Sequence, residues 1–227
     1  MEDDVRNQTD EGDHRWGQHT SLLIMAGGRA TRLGGVRKTM VHVGGRPILA
    51  RIIEQLGPLA DERLALVHDA DVPGLEGLRL LVDAQEYAGP LPAAAHGLAA
   101  ATGDVVLLVA GDMPFAATAV FRYMLRLQQQ HNVAVVVPYI DGHIESMHAV
   151  LRRGDLLDAV IKAQRDGEQR LFKVFESLGP RLIEEVELRA IDPDLNTLFN
   201  VNSAEDLARA EQIAAAQDVS TKRSRPE

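Results

Sequence analysis

The sequence predicts a single-domain, doubly wound α/β fold on a mainly parallel, mixed sheet, and three observations carry that expectation. Short continuous apolar runs alternate with helix-like stretches across residues 21–217. Such unbroken runs are the pattern of strands buried on both faces, as helices on either side of a parallel sheet require. The chain has 227 residues, with no internal repeat and no linker dividing its middle. That length suits one domain with loose ends.

Residues 21–25 form the first strand-like run, and a glycine-rich stretch follows it. Pro47 is placed to open the first helix, where its missing N–H costs nothing. Ile48, Leu49, Ile52, Ile53 and Leu56 mark the buried face of that helix, and Gly57 is expected as its C-terminal cap. Residues 64–67 and 78–82 read as the next strands, then 91–101 as an Ala-rich helix ending before Gly103. Residues 105–110 give a strand, 116–130 a helix and 133–137 another strand. The run 147–151 fits an antiparallel strand near the sheet edge, which makes the sheet mixed. Helices are expected over 155–164 and 203–217, the last with Ser203 as N-cap over Asp206. Residues 1–20 hold six acids and two Arg with almost nothing apolar, so they are expected to be a mobile acidic tail. Residues 218–227 read the same way, leaving 21–217 as the domain.

Composition excludes several classes of function. With no Cys there is no thiol nucleophile, disulfide, thiolate zinc site or iron–sulfur cluster, and a reducing, cytoplasmic setting is expected. No apolar run reaches the ~18–20 residues of a membrane span, and no secretory leader is read at the start. The net charge of −9 disfavours nucleic acid and anionic lipid as partners. An anionic ligand must therefore meet a local cationic patch. One such patch stands out, because residues 21–53 contain no Asp or Glu but carry Arg29, Arg32, Arg37, Lys38, Arg46 and Arg51. Four of these interleave with Gly27, Gly28, Gly34 and Gly35, which favours a ligand loop over a merely solvated face.

Ligands of open α/β sheets bind outside the carboxyl ends of the strands, and three polar signals fall there. The first is Ala26-Gly27-Gly28-Arg29-Ala30-Thr31-Arg32-Leu33-Gly34-Gly35-Val36-Arg37-Lys38. Glycines let backbone N–H groups wrap phosphate oxygens, and Arg32 and Lys38 add compensating charge. It is neither a dinucleotide fingerprint nor a Walker A loop, and a plain Gly-rich turn is the alternative. The second is Gly111-Asp112-Met113-Pro114, whose carboxylate is placed to ligate Mg²⁺ or to cap a turn. The third is Phe199-Asn200-Val201-Asn202-Ser203, whose two amides share a face if the segment is extended, and which would otherwise cap the last helix. His143-Ile144-Glu145 has the His-x-Glu spacing of zinc deaminases, but without Cys the remaining ligands are missing.

The three signals in this order resemble the molybdenum cofactor guanylyltransferases, with a likeness running from Leu22 to about Gln212. Val82-Asp83 and Tyr87-Ala88-Gly89-Pro90-Leu91 look like the family's carboxylate and Gly-Pro-Leu segment, and Glu145 with Met147-His148-Ala149-Val150 like its acceptor-side strand. The resemblance implies a Rossmann-like nucleotidyltransferase fold and transfer of GMP from GTP to molybdenum-molybdopterin, with Mg²⁺ as cofactor. Its implied substrates are GTP and a molybdopterin-type phosphate acceptor, with transient contact with other molybdenum cofactor proteins.

Carried over residue by residue, it implies catalytic roles for Arg32, Lys38 and Asp112. Nucleotide binding falls to Ala26, Gly27, Gly28, Lys38, Asp83, Gly89 and Asp112, and metal binding to Asp112 and Asn202. The acceptor side falls to Glu145, His148 and Asn200, although a satisfied structural histidine is an equal reading of His148. Arg37 departs from the family, which usually has an acid there. Two alternatives stay open. One is transfer of another nucleotide or to another acceptor, such as cytidylyl to molybdopterin, a sugar phosphate or phospholactate. The other is a nucleotide-binding regulatory protein without turnover.

Overall fold

The computed structural model describes residues 18–27, 41–68, 77–82 and 89–223, with side chains through Gln217. The expected acidic tail up to residue 17 therefore lies outside the described residues. Strand β1 (Thr20–Met25) is followed by a small hairpin, β2 (His42–Val43) and β3 (Arg46–Pro47), and by helix α1 (Ile48–Leu56). Next come β4 (Glu62–Val67), β5 (Arg79–Val82), α2 (Pro90–Ala100), β6 (Val105–Ala110) and α3 (Thr118–His131). The remainder is β7 (Val135–Ile140), β8 (His143–Ile144), β9 (His148–Arg152), α4 (Arg153–Arg165), α5 (Leu171–Ser177), β10 (Arg181–Glu184), α6 (Glu185–Arg189) and α7 (Ala204–Arg223).

The main sheet runs β10-β7-β9-β6-β1-β4-β5, with β8 paired to β7 off that path. β6, β1, β4 and β5 are mutually parallel, and β10 is parallel to β7. β9 runs antiparallel to both β6 and β7, so the sheet is mixed but mainly parallel. The antiparallel strand was expected near an edge and instead lies inside the sheet. His148, Ala149, Val150 and Leu151 are all buried, which an interior strand covered on both faces requires.

Alternate residues of β1 feed two separate cores. Leu22 and Ile24 join the apolar layer beneath α1, α3, α6 and α7, whereas Leu23 joins the layer beneath α2, α4 and α5. Helices on both faces make the fold doubly wound, as the sequence predicts. α1 gives way at Gly57 to a 3-10 turn over Gly57–Leu59. α7 starts where the Ser203 hydroxyl accepts from Asp206 N and the Asp206 carboxylate accepts from Ser203 N. The reciprocal cap satisfies N–H groups that the first helical turn leaves open. The helix then runs past the expected Gln217 to Arg223.

Candidate active site

The carboxyl ends of the parallel strands collect the polar signals, and local hydrogen bonds show how. β1 ends at Met25, whose carbonyl accepts from Gly111 N at 2.9 Å, while Ala26 N donates to Leu66 O at 2.8 Å. The start of the glycine loop is thereby clamped between the ends of β6 and β4. This approach leaves no room for a side chain at Gly111. A Cβ there would lie 2.7 Å from the Ala26 Cβ and 2.8 Å from its Cα. Arg51 in the first turn of α1 donates to Pro114 O, and Ile48 N donates to Val41 O. Gly27 and Val41 thus both stand at this edge. The expected contributions of Gly28, Arg32 and Lys38, like that of Asp83, lie outside the described residues.

Asp112 follows β6 directly and is 8% exposed. Its backbone carbonyl accepts from Val201 N at 2.9 Å. That one bond seats the Asn-Val-Asn segment against the Asp112 loop. Val201 is buried in the core, Asn200 is half-buried and Asn202 is exposed. The Asn200 side-chain amide donates to Leu198 O, and Asn202 N donates to the Asp206 carboxylate. The donor set of one carboxylate and amide oxygens is hard. It suits a small divalent cation that keeps waters and substrate phosphates as its other ligands. No group of three or more His, Cys, Asp or Glu that could hold a metal ion exists among the described residues.

Gly89 is the N-cap of α2 and holds φ +91°, a backbone region that L side chains avoid. Thr102, just past α2, donates its N–H to Glu62 at the first residue of β4. α2 therefore ends at the amino edge of the sheet, and its positive N-terminal end faces the ligand edge.

The antiparallel entry of β9 brings a further loop to the same place. Met147 O accepts from Ala110 N, so Glu145, two residues earlier, sits beside the end of β6. Burial raises the Glu145 carboxyl above its ordinary range, and His143 partly opposes that.

His148 is not on the acceptor side, and that expectation is corrected. It is 0% exposed, its ring lies 4.4 Å from the Phe121 ring, and its Nε2 is 3.4 Å from Thr197 Oγ1. Thr197 Oγ1 also accepts from Ala117 N. Burial pushes the imidazole down to about 3, so it is neutral in the folded protein at physiological pH. The structural reading of this histidine holds, because an apolar interior penalises the charged ring. Sequence reasoning counted Arg51 in the cationic patch but missed its link to the Asp112 loop, which spans distant parts of the chain and leaves no local signal.

A mainly parallel sheet with a glycine-rich sequence after its first strand, and an Asp-bearing loop bonded to an Asn-Val-Asn segment past the same strand ends, is the class of α/β domain that suits a nucleotide. The comparisons narrow this. Residues 22–182 match the MobA-like NTP transferase domain, and the chain belongs to that family and is a nucleotidyltransferase. A protein named probable molybdenum cofactor guanylyltransferase from Methanosarcina acetivorans is 33% identical over 82% of this chain and 88% of its own length. A molybdenum cofactor guanylyltransferase from Rhodopseudomonas palustris is 34% identical over 86% and 94%.

Among solved structures, molybdopterin-guanine dinucleotide biosynthesis protein A from Archaeoglobus fulgidus matches with a TM-score of 0.72 at 21% identity. That match covers 86% of this chain and 99% of the other. The 2-C-methyl-D-erythritol 4-phosphate cytidylyltransferase from Thermus thermophilus matches at 0.65 and 21% identity, covering 87% and 99%. At these identities the structural likeness shows a shared fold. No described helix is long and apolar enough to cross a membrane.

Proposed function

We propose that this chain transfers GMP from GTP to the phosphate of molybdenum-molybdopterin, forming the guanine dinucleotide cofactor and releasing pyrophosphate in the cytoplasm. The observation that supports the reading is the Val201 N to Asp112 O bond, which brings the segment carrying Asn200 and Asn202 against the backbone of the Asp112 loop. The names of relatives at 33% and 34% identity supply the substrates.

A phosphomonoester has a second pKa near ~6, so the attacking oxygen is already anionic at neutral pH and no general base is needed. An acceptor phosphate oxygen bonds to the α-phosphorus of GTP. The bond from that phosphorus to the oxygen bridging to the β-phosphate breaks, and its electron pair leaves with pyrophosphate. Catalysis then rests on positioning and on neutralising charge.

Asp112 and Asn202 would hold Mg²⁺, which when bound supplies charge neutralisation at the phosphates. Arg32 and Lys38 belong on the triphosphate, and Ala26, Gly27 and Gly28 offer backbone N–H groups to it. Asp83 and Gly89 would serve the nucleoside or the loop around it, and the positive end of α2 would add to the field there. Asn200 and Glu145 line the acceptor side, and other molybdenum cofactor proteins would make transient contact to deliver or collect the pterin.

The test is pyrophosphate release with GTP, Mg²⁺ and molybdenum-molybdopterin, compared with CTP, UTP and ATP. GTP should be preferred, and Asp112→Ala should cost ~10²-fold or more in rate while leaving the fold intact. Turnover only with CTP, or a near-normal rate in that variant, would overturn the reading.

A further inference from the structure

The Asp112 loop and the Asn-Val-Asn segment meet through one backbone–backbone hydrogen bond, Val201 N to Asp112 O, and are tied again where Ala117 N donates to Thr197 Oγ1. A further point of attachment lies between these two. The Phe115 and Phe199 rings are 6.1 Å apart between centroids and inclined at 57°, within the range for a tilted aromatic pair. Each ring also has a cation over it. The Arg51 guanidinium lies 5.3 Å from the Phe115 centroid, and that of Arg209 lies 5.4 Å from the Phe199 centroid, both within cation–π reach. The result is a four-member stack, Arg51-Phe115-Phe199-Arg209, crossing from α1 through the Asp112 loop and the Asn-bearing segment to α7.

Its inner end is anchored. Arg51 Nε donates to Pro114 O and Nη1 to Val43 O, tying in the β2–β3 hairpin as well. That hairpin is held from the far side by Gly44 N, which donates to Glu211 on α7.

We propose that Arg51, Phe115, Phe199 and Arg209 are positioning residues that fix the Asp112 loop against the Asn200 and Asn202 segment, and so set the spacing of the two groups assigned to the metal. The inference rests on the reading of Asp112 and Asn202 as metal ligands. The stack stands three residues after one ligand and three before the other. With the Val201 bond and the Ala117–Thr197 bond it makes three points of attachment, and it is the one that lies between the other two. Phe115 is 6% exposed while Arg209 is exposed, so the outer member can be changed without opening the core.

The discriminating quantity is the coupling between metal and nucleotide, the ratio of GTP dissociation constants without and with Mg²⁺. It is read from binding of fluorescent mant-GTP in EDTA and in Mg²⁺, with no turnover involved. In the wild-type protein Mg²⁺ should tighten binding. Phe199→Leu keeps the apolar bulk but removes the ring, and should lower the coupling by about tenfold, equivalent to ~1.4 kcal/mol, with metal-free binding little changed. Phe199→Tyr should restore it, and Arg209→Gln should lower it by roughly threefold. A purely structural ring would lower the melting temperature and leave the coupling alone.

Wild-type coupling in Phe199→Leu overturns the proposal, as does a Tyr variant no better than Leu. Should Phe199→Leu fail to fold, unchanged coupling in Arg209→Gln overturns it. No Mg²⁺ effect in the wild-type protein with any of GTP, CTP, UTP or ATP sinks the ligand reading itself and the stack's role with it. That result differs from coupling present in the wild type but indifferent to Phe199.

Discussion

Replacing His148 by Gln separates one buried imidazole from every other acid-sensitive group in the protein. In the unfolded chain this ring titrates near the ordinary histidine value of ~6.5, whereas burial holds it at about 3 in the fold. Between those values the unfolded chain binds a proton that the native state refuses. Stability therefore falls as pH falls through this window, by about 1.4 kcal/mol per pH unit. From pH 7.5 to 5.0 the accessible part of the window is ~1.5 units, so His148 alone should cost ~2 kcal/mol. The ring is fully buried, so no discount for solvent screening applies.

Gln can still meet Thr197 but cannot titrate, and it loses the packing against Phe121. His148→Gln should accordingly be about 1–2 kcal/mol less stable at pH 7.5, yet lose ~2 kcal/mol less than the wild type on going to pH 5.0. Hydrogen bonds hold the carboxyls of Glu62 and Glu187 low despite burial. Their loss on acidification is common to both proteins and cancels in the difference. Urea denaturation at the two pH values measures it. Equal decrements in wild type and variant would refute the argument that a neutral, desolvated His148 sets this pH dependence.

Gly111→Ala should cost about 1–3 kcal/mol and raise the KM for GTP, because the new methyl meets the Cβ and Cα of Ala26, neither of which can swing away. Urea melts and steady-state kinetics check this, and an unchanged KM would detach the end of β6 from the nucleotide loop. Gly89→Ala should cost about 1–3 kcal/mol through backbone strain, since nothing among the described residues lies within 4 Å of the added Cβ; a melting temperature equal to wild type would contradict it. Lys38→Ala should lower kcat by on the order of 10² to 10³, whereas Arg37→Asp should act chiefly on KM. Kinetics with both substrates varied decide, and a Lys38 variant that keeps kcat would make the lysine a simple binding contact.

The sequence made the buried strands readable because their composition is unambiguous. Val105-Val106-Leu107-Leu108-Val109-Ala110 has no polar member, and it is β6 to the residue. The α7 cap was equally legible, because Ser203 and Asp206 carry a reciprocal hydrogen-bond pattern in four residues. Strand order was not legible. His148–Arg152 reads as a half-polar strand of the kind found at edges, and only its partners β6 and β7 reveal it as interior. β10 was missed because Arg181-Leu182-Ile183-Glu184 is short and charged at both ends, as an edge strand tends to be.

At the site, the residue types at Asp112 and at the two Asn positions carried their own chemistry. Their meeting did not, since it depends on one bond between segments far apart in sequence. His148 misled for a physical reason. A His in an apolar strand has the same sequence pattern whether it points to a ligand or into the core, and only the Phe121 ring and its zero exposure decide the matter.

The reversed direction of β9 also governs how the enzyme can be altered. A strand parallel to β6 would have delivered its preceding turn to the far side of the sheet, away from the ligands. Running backwards, β9 presents the Glu145–Met147 corner beside Gly111, and the excursion through β7 and β8 that leads to it is separate from the β1, β4 and β5 half where the nucleotide segments begin. Residues on that corner can be exchanged, or the excursion lengthened, without disturbing the clamp on Ala26. The two halves of the sheet are thus separately adjustable, with β1 and β6 as their common hinge line, and on the proposed reading one would be tuned for what is donated and the other for what receives it.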